Sequence, residues 1–296
     1  MRFVRARLDG RVAAFLLTGD GADGSRAGAA AEAVELPAPA GADPLLALLT
    51  TDGPDGLRAA AETALRTGAR VPEDTLEVLA PLHRPGKIIA IGLNYHDHTA
   101  ETGLEAPAVP LTFAKYATSI TGPGAPVTVP AGLTDQVDWE AELAVVVGTG
   151  CGPGRRGTAA DIFAYTVSND VSARDLQFSD KQWTRGKSLD TFCPLGPELV
   201  TTDEIDDPYA LRIWAEVNGE TMQDASTGDM IFKLDELLDF VTAGTTLEPG
   251  DVILTGTPPG VGGFRTPPVY LQDGDTVTVG VEGIGRLSNP VVHTRP

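Results

Sequence analysis

Residues 137–147 read VDWEAELAVVV, an apolar run into which two glutamates are set. Read as a β-strand, the segment alternates its side chains between two faces. Glu140, Glu142, Ala144 and Val146 then share one face, and Trp139, Ala141, Leu143, Val145 and Val147 the other. Two carboxylates on one face, leading into a buried half-strand, repel each other and resist desolvation unless a positive charge lies between them. The alternative is a strand whose first residues stand in water, where both glutamates are solvated. The stretch alone is compatible with either.

The flanking chain has the same texture. From about residue 85, short Val/Ile/Leu runs alternate with Gly and Pro: KIIAIGLNY, APVTVP, ELAVVVG, FAYTVSND, RIWAEVNGE, DVILTG and DTVTVGVEG. This predicts a strand-rich domain. A helix interrupts it at FKLDELLDFVTAG, where Leu234, Leu237, Leu238 and Val241 form one apolar face and Gly244 is the stop. Upstream, MRFVRARLDGRVAAFLL predicts a strand pair turning at Asp9-Gly10. Residues 21–44, rich in Ala, Gly and Pro, read as loop, and GLRAAAETALRTGA as a helix ended by Gly68. No internal repeat is visible. The expected organisation is a small N-terminal domain over 1–80 and a β-rich catalytic domain over 81–296.

The chain has 296 residues and a formal net charge of −19. Excess acid opposes binding to nucleic acid or to anionic membrane surfaces, and no apolar run has the length a bilayer requires. VAAFLL after the basic N-terminus is too short for a secretory signal and lacks a cleavage site. Two cysteines, Cys151 and Cys193, give no disulfide framework and point to a reducing compartment, with the cytoplasm as the expectation.

Several residues can carry chemistry. A third carboxylate, Asp170, ends the apolar run AYTVSND, where it can act either as a turn residue or beside the two glutamates. Glu140, Glu142 and Asp170 are hard oxygen ligands of the kind Mg2+ or Mn2+ accepts, whereas the histidines show no zinc-type pairing beyond His96 and His98. The GKS at 186–188 is not a phosphate loop, since that motif needs glycine where Lys181 stands. Lys187 is instead either a surface lysine or a contact to an anionic substrate oxygen. His98 and Glu101 lie at i and i+3, so on a helix the carboxylate can orient the imidazole for water activation, or the two form a surface pair. Thr257 in LTGTPPG can line a pocket floor or serve a tight turn, and Arg265 can meet a distal carboxylate or stand in solvent.

In order along the chain, KIIAIGLNYHDHTAETG, VDWEAELAVVVG, NDVSARDLQ, WTRGKSLDTFCPLGP, VNGETMQDASTGDMIF, LEPGDVILTGTPPGVG and DGDTVTVGVEGIGRLSNPV resemble the fumarylacetoacetate hydrolase family over roughly residues 84–292. The motifs are closest to its acylpyruvate hydrolase, oxaloacetate decarboxylase and 2-hydroxyhepta-2,4-diene-1,7-dioate isomerase branch. The resemblance implies a mixed α/β, β-rich fold, a β-sandwich roll behind a small N-terminal domain, assembled as a homodimer. It implies Glu140, Glu142 and Asp170 as ligands of Mg2+, with Mn2+ as the alternative, and Lys187 as a contact to substrate oxygen. It further implies substrate-binding roles for Arg174, Gln177 and Thr257, and a His98–Glu101 catalytic pair on a mobile lid over about 94–105. The function so implied is divalent-metal-dependent C–C hydrolysis of an acylpyruvate-type 2-oxo acid. Tautomerisation of a 2-hydroxymuconate-type dienoate, oxaloacetate decarboxylation, and metal-pocket ligand binding without catalysis are the competing expectations.

Overall fold

The computed structural model describes residues 1–19, 31–103 and 105–295. Part of the Ala/Gly-rich segment expected to be loop, residues 20–30, therefore lies outside the described residues. A 12-stranded sheet forms the frame. In spatial order its main path runs Arg70–Pro72, Glu32–Glu35, Arg11–Leu17, Arg2–Leu8, Cys193–Thr201, Ile162–Asn169, Ala141–Val147, Val252–Leu254, Ile88–Gly92 and Leu111–Lys115. Facing it is a five-stranded sheet ordered Glu220–Ser226, Arg212–Val217, Thr276–Val281, Gly285–His293 and Val127–Val129. The fold is thus mixed and strand-rich, as the punctuated apolar runs require.

Period-two alternation of 141–147 decides the layers. Leu143, Val145 and Val147 face the five-stranded sheet and pack with Ile213, Val279 and Leu287. Ala144 and Val146 face the other way, against Leu45, Leu49 and Leu57 of a helix over Pro44–Thr67. Each such fully buried side chain contributes roughly 1.5–3 kcal/mol of hydrophobic stabilisation, so the strand is fixed from both sides. The Leu234–Thr242 helix buries Leu234, Leu237, Leu238 and Val241, the face its sequence periodicity marks.

Two local differences from the sequence reading have physical causes. The helix expected over 56–69 begins at Pro44, capped by Asp43 and kinked at Gly53, whose φ of 71° breaks the helix. Leu45, Leu48 and Leu49 drive the extra turns by burial, and Pro54 then reopens the helix where a missing N–H costs little. Glu32–Glu35, inside the expected loop, pairs as a strand with Arg11–Leu17 because that strand offers an open edge and buries Ala33 and Val34. The Asp9-Gly10 hairpin forms as expected, both residues adopting positive φ between the paired Leu8 and Arg11. The Arg2–Leu8 strand pairs with Cys193–Thr201, so the N-terminal segment is hydrogen-bonded into the sheet of the remainder.

Candidate active site

Antiparallel pairing of Ala141–Val147 with Ile162–Asn169 sets Ala141 opposite Asn169. Asp170 N–H then donates to Glu140 C=O at 2.9 Å, and the Asn169 side-chain oxygen accepts from Glu140 N–H at 3.0 Å. These bonds bring the strand ends together, and one carboxylate oxygen each of Glu140, Glu142 and Asp170 lies within 4.8 Å of the others. All three side chains are buried. The solvated-strand alternative for the two glutamates is excluded, as is a turn-only role for Asp170.

Cations surround two of the three. Lys187 Nζ donates to Glu140 Oε2 at 2.7 Å and to Asp170 Oδ2 at 2.8 Å. Arg174 Nη1 lies 2.7 Å from Glu140 Oε1, and Lys115 Nζ, itself buried, pairs with Asp170 Oδ1. Burial pushes Glu140 up, but Lys187 and Arg174 outweigh it and hold the carboxyl at about 2. Glu142 goes the opposite way: burial, then Asp170 and Glu140, lift it well above the usual carboxylate range, with Gly256 N–H donating to its Oε2 at 2.8 Å. Burial works to lower Lys187, yet Asp170 and Glu140 raise it, so it stays an ammonium.

The donor set fits a hard divalent cation. Glu140, Glu142, Asp170 and the adjacent buried Asp138 face Lys187, Lys115 and Arg174, leaving one negative charge in excess that bears on Glu142. A dication there would relieve Glu142 and turn the site net positive, which suits a carboxylate substrate. The buried Tyr95 hydroxyl, its pKa raised by burial and then by Glu142, has no hydrogen-bond partner among the described residues.

The other expected residues converge on one cavity of about 40 Å³ beside the triad, lined by His98, Glu140, Arg174, Gln177, Lys187 and Thr257 among others. His98 and Glu101 sit on the His96–Thr102 helix, with Nδ1 2.9 Å from Glu101 Oε2. His98 is 5% exposed, which rules out a surface pair. Arg174 Nη1 donates to Gln177 Oε1 at 2.9 Å. The Thr257 hydroxyl donates to Ala141 C=O and accepts from Gln223 Nε2, so it braces the cavity floor. Arg265 does not stand free in solvent: it is half-buried, and its Nη2 donates to the carbonyls of Met222 and Gly260. Sequence reasoning missed Lys115, although a lysine inside the apolar LTFAK strand is the available signal. It also passed over Asp138 within the opening stretch, and Phe264, whose ring meets His98 edge-on with centroids 6.0 Å apart.

Residues 87–292 match the family model of the fumarylacetoacetate (FAA) hydrolase C-terminal domain, and the chain belongs to that family. It is 46% identical over 244 residues, 78% of this chain and 77% of the other, to oxaloacetate tautomerase Fahd2a, mitochondrial, of Rattus norvegicus. Among solved structures it is similar to 5-carboxymethyl-2-hydroxymuconate delta-isomerase from Mycobacterium smegmatis, with TM-score 0.76 and 37% identity over 99% of this chain and 100% of that one. The fumarylacetoacetate hydrolase of psychrophilic Exiguobacterium antarcticum gives TM-score 0.80 and 37% identity, covering 99% and 100%. Among the described residues no helix is long and apolar enough to cross a membrane.

Proposed function

We propose that this enzyme interconverts the enol and keto forms of a small 2-oxo dicarboxylic acid of the oxaloacetate type, using Mg2+ held by Glu140, Glu142 and Asp170, with Mn2+ as a substitute. The observation that carries the reading is buried His98, paired with Glu101, lining the same small cavity as Lys187 and Glu140 of the carboxylate triad. The tautomerase name of a relative 46% identical over most of its length supports it. When bound, the cation would polarise the 2-oxo group and favour negative charge on its oxygen.

The residues supply the rest. With Nδ1 of His98 on Glu101, Nε2 is the nitrogen left for substrate, and it moves the proton at the carbon beside the oxo group. Glu101 steadies the imidazolium so formed. Two of the three Lys187 N–H bonds are taken by Glu140 and Asp170, and the third can donate to the oxygen on which charge develops. Arg174, with Gln177 beside it, and the Thr257 turn orient the substrate carboxylates. The cavity is small, about 40 Å³, and in this reading the His96–Thr102 helix is the element that moves aside for entry and closes for chemistry.

C–C hydrolysis of an acylpyruvate is the second reading, favoured by the likeness to a fumarylacetoacetate hydrolase. There the same dyad would activate water against the distal carbonyl. Chelator-stripped enzyme assayed with oxaloacetate enol and with acetylpyruvate, with and without Mg2+, separates the two. Metal-dependent loss of the enol with no acetylpyruvate cleavage supports tautomerisation; cleavage alone supports hydrolysis, and tight ligand binding with no turnover would leave only a binding role. A homodimer and a cytoplasmic location complete the proposal, the latter in keeping with the free, buried Cys151 and Cys193; the rat relative's name places that protein in mitochondria.

A further inference from the structure

Asp138 is fully buried beside the triad and is not one of its members. Four donors saturate it. Its Oδ1 accepts from Trp139 N–H at 2.8 Å and Gly262 N–H at 2.6 Å, and its Oδ2 from Gly263 N–H at 2.7 Å and Arg174 Nε at 2.8 Å. A carboxylate so occupied has no lone pair left for a metal or a substrate proton, so its chemistry is to hold. On one side it holds Arg174, which reaches on to Glu140. On the other it holds the loop from Gly260 to Phe264, both ends of which meet the dyad. Gly260 N–H donates to Glu101 Oε1 at 2.9 Å, and the Phe264 ring stands edge-on to His98.

The loop is built for this grip. A Cβ on Gly262 would lie 1.9 Å from Val269 O and 2.9 Å from Asp138 Oδ1, and one on Gly263 would lie 3.1 Å from Asp138 Oδ2. Gly262 leaves no room for a side chain, and at Gly263 a Cβ would push the carboxylate back by a few tenths of an ångström, so the two successive amides reach Asp138 most closely as glycines.

We propose that Asp138 is a positioning residue that couples the seat of the His98–Glu101 helix to the Arg174 arm of the metal side. The inference rests on the reading of that helix as the element that closes over substrate. Asp138 keeps the 260–264 loop in place so that Glu101 meets a fixed N–H on closure, and with the same carboxylate it aims Arg174. The triad keeps its other holds on Lys187, Lys115 and Gly256 N–H. Loss of Asp138 therefore unseats the dyad helix, while the three carboxylates keep these holds and the metal side loses one negative charge but no ligand.

Amide hydrogen exchange of the full-length Asp138→Asn protein, with and without Mg2+, tests this. Exchange should rise by about tenfold or more in residues 260–264 and in 96–102, with 141–147 and 162–169 as protected as in the parent and Mg2+ affinity by calorimetry lowered by no more than the roughly 10–100-fold that groups behind metal ligands cost. Phe264→Ala should raise exchange in 96–102 and leave the glycine amides protected. Gly263→Ala strikes the same joint more gently and serves if Asp138→Asn does not fold. Parent-like exchange in 96–102 despite a loosened 260–264 loop would overturn the coupling, and so would uniform loss of protection across the sheets. Exchange is read without substrate, so this result stands apart from any failure to turn over oxaloacetate.

Discussion

Lys115 Nζ, on the last strand of the large sheet, reaches Asp170 Oδ1 and the backbone carbonyl of Lys187, so one buried ammonium joins a proposed metal ligand to the backbone of the proposed substrate lysine. Breaking a buried pair by removing one partner costs about 3–5 kcal/mol, because the other charge is left uncompensated. Lys115→Met, close in volume, should lower the stability of metal-free protein by about that amount in urea titrations. A loss under about 1 kcal/mol would show that Asp170 is held well enough by Lys187 alone.

Glu142→Ala removes the ligand with the greatest excess of negative charge around it. Mg2+ affinity by calorimetry should fall by more than the roughly 10–100-fold that residues behind metal ligands cost, and metal-dependent turnover should go with it. Parent-like affinity would refute the assignment of Glu142 to the metal.

His98→Asn and Glu101→Gln act on proton movement rather than on the metal. Each should lower kcat by about 10²–10⁴-fold while leaving the Mg2+ binding isotherm as in the parent. A variant that loses affinity and activity in parallel would instead assign the helix to the metal site.

Stability should also respond to pH through His83, which is far in sequence from the triad. Burial, then Arg5 and Arg84, hold its imidazole below the usual value, with Asp43 opposing. The unfolded chain therefore binds the proton more readily, so this contribution is whole above about pH 6.5 and is lost as pH falls through the depressed folded value. Urea midpoints should drop between about pH 7.5 and 5.5, and His83→Gln should flatten that drop. An equal drop in the variant would place the pH dependence elsewhere.

The strand-rich frame was legible because the apolar runs are short, alternate, and end in Gly or Pro. The run itself left the two glutamates open between solvent and a shared site, and it was the order of family motifs that put Asp170 beside them. What stayed hidden depends on distant partners. Asp138 looks like an exposed strand start until Gly262 and Gly263, over 120 positions later, close on it. Lys115 ends a strand whose neighbours Leu111, Thr112 and Ala114 are exposed, and its burial depends on Asp170 and the Lys187 carbonyl, which lie far along the chain. The Glu32–Glu35 strand has little intrinsic strand preference and exists because a neighbour offers it an edge.

The pairing of the first strand with Cys193–Thr201 limits how this chain can be cut or shuffled. Excising residues 1–80 would strip a flank from the strand beside Ile162–Asn169, baring a row of backbone donors and acceptors two strands from Glu142. Such a fragment would seek another edge to pair with and would tend to aggregate. Gene fusions or transplants that treat residues 81–296 as a portable module should carry the opening hairpin with them.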